Sequence, residues 1–251
     1  MDITACTPVH PLPDGEVRIL GAIDVVTGAM TRVETAGRRL LVDCGVGQGR
    51  DARGWTFPEA ARDVDAVLLT HGHLDHIGAL PILLDHGFDR PILATKATLD
   101  IARISLKDAL HMQRASERES DALLGRFDRL ARPIAYDVAG AHLPGFAGSI
   151  TFREAGHILG SASVDIVTDE SRVIVSGDLG RPGSPILRDA FTDWSGERDV
   201  DVVVMESTYG ARSHEHAHAD IERDLQRVST GAHGRGGKVL VPAFAIGRTQ
   251  V

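Results

Sequence analysis

Apolar positions along this chain fall into short runs, most of them closed by glycine or by a polar turn. Residues 17–23, 32–35 and 39–43 predict three strands, the last ended by Gly45, Gly47 and Gly49. Residues 65–70 predict a buried strand from their β-branched and leucine content, 77–85 a helix and 91–94 a further strand. From 96 to 130 the pattern is mostly helical, with Leu99, Ile101, Ile104, Leu110 and Met112 marking an approximate stripe and 114–121 forming an exposed helix or loop. After Pro133 the pattern turns to strands over 149–154, 162–168 and 172–176, with Asp169-Glu170-Ser171 as the hairpin turn between the last two. Residues 200–206 predict another apolar strand, 221–228 a helix, and 238–241 a strand leading into a helix. Alternating strands and helices predict an α/β architecture.

The chemistry concentrates at one point. Directly after the apolar run 64–70 stands His71-Gly72-His73-Leu74-Asp75-His76, three imidazoles and a carboxylate in six residues. Unrelated structural histidines are the weaker reading of such a cluster. Two more candidates end later strands and are flanked by glycines, His157 in Gly156-His157-Ile158-Leu159-Gly160-Ser161 and Asp178 in Ser176-Gly177-Asp178-Leu179-Gly180. Imidazole nitrogen and carboxylate oxygen are the ligands zinc prefers. His71, His73 and His157 would hold one ion, and Asp75 and His76 a second. Asp178, with two oxygens, is suited to bridge them, because paired ions sit about 3.5–4 Å apart. Asp43, at a strand end before a glycine-rich turn, is either an acceptor that orients a ligating histidine or a turn-former. Cys44 reads as a small buried side chain rather than a soft ligand.

Composition narrows the class. The chain has 251 residues, 43% of them hydrophobic and 25% charged, an ordinary globular balance. No apolar run approaches a membrane span and the N-terminus has no secretory pattern. Only two cysteines, Cys6 and Cys44, fit a reducing, cytoplasmic setting. The net charge of −8 argues against a uniformly basic nucleic-acid binder, although bound divalent cations would reverse the field locally. Arg103, Lys107, Arg114, Arg118, Arg126, Arg129 and Arg132 read as a solvated helical face.

Thr70-His71-Gly72-His73-Leu74-Asp75-His76-Ile77-Gly78 resembles the signature of the metallo-β-lactamase superfamily, and Asp43, His157 and Asp178 match its other motifs in order. Two further segments are similar to its β-CASP branch: Glu206-Ser207-Thr208-Tyr209-Gly210, and the stretch 237–250 around Pro242-Ala243-Phe244-Ala245-Ile246-Gly247-Arg248. The resemblance implies a metallo-β-lactamase αββα sandwich over residues 1–206, incomplete at its C-terminal end, followed by the start of a β-CASP domain over 207–251. It implies two Zn2+ ions and a metal-bridging hydroxide that attacks the phosphorus of an RNA phosphodiester. Asp75 and Asp178 would steady the proton of that hydroxide. Glu206 would pair with a histidine of a later motif, and another late histidine would complete the second zinc site. The latest candidates here, His214, His216, His218 and His233, lie too early for either role.

The expectation is therefore an N-terminal fragment of an RNA-processing ribonuclease that holds one zinc well and the second weakly. Its partner is RNA, with no membrane, and its assembly is a homodimer or an RNA-processing complex. Arg248, beside Gly247 at an expected helix N-terminus, is a candidate for receiving a substrate phosphate or else a domain contact. The alternatives are a general hydrolase of the same superfamily, such as a thioesterase, and an inactive fragment or scaffold. DNA in place of RNA stays open, since nothing in the motifs reads a 2′-hydroxyl.

Overall fold

The computed structural model describes residues 8–140, 143–196, 198–212, 218–247 and 249–250. The chain divides into two compact units, residues 1–206 and 207–251.

In the first unit, strands β1 (Val9–Leu12), β2 (Gly15–Gly21), β3 (Met30–Thr35) and β4 (Arg38–Val42) form an antiparallel meander. Strands β5 (Ala66–Leu68), β6 (Ile92–Ala94) and β7 (Ala131–Pro133) extend it in parallel, giving a sheet in the order β1-β2-β3-β4-β5-β6-β7. Parallel neighbours need crossovers. Residues 43–65, with a short 3-10 helix at Glu59–Ala61, make the one from β4 to β5; helices α1 (Leu74–Ile77) and α2 (Leu80–Asp85) make the one from β5 to β6, and α3 (Lys96–Met112) and α4 (Glu117–Leu130) the one from β6 to β7. The helical stretch expected over 96–130 is thus two helices. Thr95 caps α3 by accepting from the Thr98 amide, and Ser116 opens α4 with a reciprocal capping box to Glu119. Arg114, at φ 61°, makes the turn between them.

Of the helix expected over 77–85, Ile77 instead ends α1 and only 80–85 forms α2, because tertiary bonds interrupt the helical ladder at Ala79. The Asp75 carbonyl accepts from Ala29 N–H at 2.8 Å, and Ala79 N–H donates instead to the Cys44 carbonyl at 2.9 Å. Gly45 permits this closeness, since a Cβ there would lie 1.7 Å from the Asp75 oxygen.

The second sheet runs β11-β10-β9-β8. Strands β8 (Gly148–Glu154), β9 (Ala162–Thr168) and β10 (Arg172–Val175) are antiparallel, and β11 (Val202–Val204) lies parallel to β10. Two apolar cores follow from the alternation. Leu41, Val67, Leu69 and Ile92 pack against Leu80, Leu84, Leu106 and Phe127 of the helices. Val33, Leu40, Val42 and Leu68 pack against Ile150, Phe152, Val164 and Ile166 across the two sheets. Each fully buried side chain of this kind contributes about 1.5–3 kcal/mol. One helical layer and two stacked sheets make up three layers of the expected sandwich.

Among the described residues the β10–β11 crossover carries no helix. An irregular strap takes that path, tied to the second sheet by Phe191 N–H donating to the Glu154 carbonyl at 2.7 Å. Beneath it Arg172 pairs with Asp165 at 3.0 Å, with side chains only 6% and 5% exposed, and also donates to the Arg198 carbonyl at 2.9 Å. Such a buried pair is tolerated because its remaining donors are satisfied.

The second unit contains α5 (His218–Gly234). The strand expected over 238–241 does not form, and Leu240 is 92% exposed. An apolar run becomes a strand only beside a ladder partner, and the described residues of this unit include no other strand.

Candidate metal centre

The expected site residues sit where strands end. Asp43 follows β4, His71 and His73 follow β5, and Asp75 and His76 lie on α1. His157 follows β8, Asp178 follows β10 and Glu206 follows β11. β4 and β5 are parallel, as are β10 and β11, while β8 and β10 run alike on either side of β9. Their carboxyl ends meet at one edge, where Ala162 N–H of the second sheet donates to the Thr70 carbonyl of the first at 2.8 Å.

Four side chains converge there. His71 Nε2 lies 3.1 Å from His73 Nδ1, which lies 3.3 Å from His157 Nε2. Asp178 Oδ2 lies 3.5 Å from His157 Nε2 and 3.7 Å from His71 Nε2. All four ligand atoms are within 4.8 Å of one another. Tetrahedral bonds of about 2.0–2.1 Å require ligand atoms about 3.3–3.4 Å apart, so the spacing fits a zinc-sized ion. The His/Asp donor set gathered here suits a divalent metal.

Beside this group lies a second, looser one. His76 Nε2 is 3.3 Å from Asp178 Oδ1 and 4.0 Å from Asp75 Oδ2. Asp178 therefore turns one oxygen toward each group. Asp43 stands behind both, buried and held at φ 61°. Its Oδ2 accepts from His76 Nδ1 at 2.7 Å and from Thr70 Oγ1 at 2.7 Å, and its Oδ1 accepts from Thr70 N–H at 2.8 Å. Asp43 thus combines the positive φ of a turn residue with a hydrogen bond to the His76 ring.

Charge follows the same arrangement. Burial, with help from the neighbouring imidazoles of His76, His157 and His73, holds His71 well below the usual histidine range. Burial also lowers His157, although Asp178 pulls it back. For His76 burial is outweighed by the Asp43 and Asp178 carboxylates, which raise it well above that range. Burial would raise Asp178, but its hydrogen bond to His76 and the surrounding imidazoles bring it below the carboxylate range.

Glu206 lies beside this group. Its Oε1 accepts from Leu179 N–H at 3.2 Å, one residue past Asp178, and its own N–H donates to Ser176 Oγ at 3.1 Å. Cys44 is buried and outside the ligand group, with burial raising its thiol pKa. Arg248, His214 and His216 lie outside the described residues.

Sequence reasoning missed the residues that hold the ligands in place. Ser161 Oγ accepts from His157 N–H at 3.0 Å and Ile158 N–H at 3.2 Å. Thr95 and Thr98 both donate to the Gly160 carbonyl at 2.7 Å, pinning the same loop to the start of α3. Thr70 could have been found from its place next to His71. Thr95 and Thr98, more than sixty residues from Gly160, left no such signal.

The model of the metallo-beta-lactamase superfamily matches residues 23–228. The chain is 39% identical over 236 residues to Ribonuclease TTHA0252 of Thermus thermophilus, covering 92% of this chain and 52% of the relative. It is 31% identical over 244 residues to the transcription termination factor FttA of Methanocaldococcus jannaschii, covering 93% and 38%. It is 32% identical over 236 residues to an RNase J-like protein of the same organism, covering 92% and 51%. The chain spans about half the length, or less, of these curated relatives. With the family model matched across most of its length and the His/Asp group gathered at the strand ends, this chain belongs to the metallo-beta-lactamase superfamily.

Proposed function

We propose that this chain is the metal-binding half of a β-CASP-type ribonuclease that hydrolyses RNA phosphodiester bonds with two zinc ions. The observation that carries this reading is the shared carboxylate of Asp178, with one oxygen toward His71 and His157 and the other toward His76. The substrate class is supported by relatives named as a ribonuclease and an RNase J-like protein. In this reading residues 1–206 are the metallo-β-lactamase domain and 207–251 begin the β-CASP domain.

His71, His73, His157 and Asp178 would hold the first ion, and Asp75, His76 and Asp178 the second. Zinc in such a pair supplies Lewis-acid stabilisation of phosphoryl charge and activation of water. Asp43 keeps the His76 ring turned so that Nε2 faces inward. Asp75, at the rim of the second group, would hold a proton of the attacking water. Glu206, which accepts from Leu179 N–H, would pair with a histidine of a later motif on the leaving side. The protein acts away from membranes, in the cytoplasm, and no helix among the described residues is long and apolar enough to cross a bilayer.

The test is cleavage of a labelled single-stranded RNA by the zinc-loaded full-length protein that carries this chain, run beside single-stranded DNA and a thioester. RNA fragments that vanish on chelation and in Asp178→Asn are expected. Thioester turnover without RNA cleavage would overturn the assignment.

A further inference from the structure

We propose that Thr70 is a positioning residue for the four-ligand site, its hydroxyl relaying the Asp43 carboxylate to His71 and so fixing which ring nitrogen of His71 is left bare. The proposal deepens the metal reading above and rests on it.

The argument is a proton count. Thr70 Oγ1 carries one hydrogen and lies between two partners, Asp43 Oδ2 at 2.7 Å and His71 Nδ1 at 3.1 Å. An ionised carboxylate only accepts. Were the hydroxyl hydrogen turned toward His71, oxygen lone pairs of Thr70 and Asp43 would face each other at 2.7 Å in a buried site. The hydrogen therefore goes to Asp43, and Thr70 Oγ1 can only accept from His71. That requires the hydrogen of neutral His71 to sit on Nδ1, which leaves Nε2 with its lone pair free. Nε2 is the atom that faces His73 and Asp178.

His71 is fully buried, so bulk water does not offer Nδ1 an alternative acceptor. The same Oδ2 of Asp43 also takes the Nδ1 hydrogen of His76. One carboxylate oxygen thus sets an imidazole of each ligand group, directly for His76 and through a hydroxyl for His71. Room for the relay is kept by Gly177, where a Cβ would lie 2.6 Å from Thr70 Cβ and 2.8 Å from Oγ1.

The test uses the full chain with Zn2+ and no nucleic acid. Thr70→Val keeps the shape and removes the hydroxyl, whereas Thr70→Ser keeps the hydroxyl. Chelator competition should show Thr70→Val weakening the tightly held zinc by about 10- to 100-fold, the usual effect of losing an outer hydrogen-bond partner, with Thr70→Ser restoring most of it. Nitrogen-15 spectra of the metal-free wild type should show His71 protonated at Nδ1, a reading that does not depend on either variant folding. Wild-type affinity in a folded Thr70→Val chain, or an unprotonated His71 Nδ1 in the metal-free wild type, overturns the relay alone. A wild-type chain that takes up no zinc sinks the metal reading and the relay with it, whatever becomes of the RNA assay.

Discussion

Asp43 Oδ2 lies 2.7 Å from Nδ1 of His76, joining the end of β4 to the short helix after β5 across 33 residues of sequence. Because the same carboxylate also holds the amide and hydroxyl of Thr70, it is the point on which both ligand groups turn. Asp43→Ala would leave those buried donors without their acceptor, at a cost of about 1–3 kcal/mol for each group left unsatisfied. Zinc affinity should fall by about 10- to 100-fold at both sites, measured by chelator competition, and thermal unfolding should come earlier. Unchanged zinc affinity at either site would contradict the shared role.

The two groups differ in completeness, and metal content should show it. The first offers four ligand atoms within 4.8 Å of one another. The second has Asp75 4.0 Å from His76 and shares Asp178. Dialysis against a weak chelator should leave close to one zinc per chain, with a second recovered only in excess metal. His73→Ala should remove the tightly held ion, while His76→Ala should spare it. Two equally retained ions would refute this ranking.

Gly177 adopts φ +57° directly before Asp178, and any side chain there would press on Thr70. Gly177→Ala should therefore act twice. Left-handed backbone strain costs about 1–3 kcal/mol, visible as a lower denaturation midpoint, and displacement of Thr70 should loosen the first zinc site. Gly37→Ala is the control. It too has a positive φ, but a Cβ there meets nothing within 4 Å, so it should lose stability without losing zinc.

Asp14 ties the two sheets together away from the metal centre. It accepts from Thr35 Oγ1 at 2.7 Å and the Ala36 amide at 2.8 Å on one side, and from Ser171 and Thr168 hydroxyls on the other. Burial would raise its carboxyl, but the Ser171, Thr35, Ala36 and Thr168 hydrogen bonds hold it below the usual aspartate range. A carboxyl depressed in the folded state stabilises above its unfolded value of about 3.9, and that gain is lost as pH falls through the folded value. The stability difference between wild type and Asp14→Asn should be constant near neutral pH and shrink below about pH 4. A difference that does not change across that range would contradict the assignment.

The strands that carry the site were legible because each is a compact apolar run with a marker at its end. Thr70-His71 follows β5, Gly177-Asp178 follows β10 and Asp43 follows β4, all visible as letters in order. β1 and β7 were not, since Pro11, Pro133 and mostly exposed edge positions hide the alternation. The stretch 238–241 misled for the opposite reason, having strand-like letters without a described neighbour to pair with.

By itself, the sequence determined which residues can bind metal and which kind of fold presents them, because ligand chemistry and hydrophobic period are local properties. Only the tertiary structure decided the division of labour among those residues. Asp178 faces two groups, Asp43 serves one imidazole directly and another through Thr70, and Thr95 with Thr98 pins the loop of His157. Those relations depend on hydrogen bonds a few ångströms long between residues distant in the chain. Only the meeting of two sheets at their carboxyl edges brings such residues within reach.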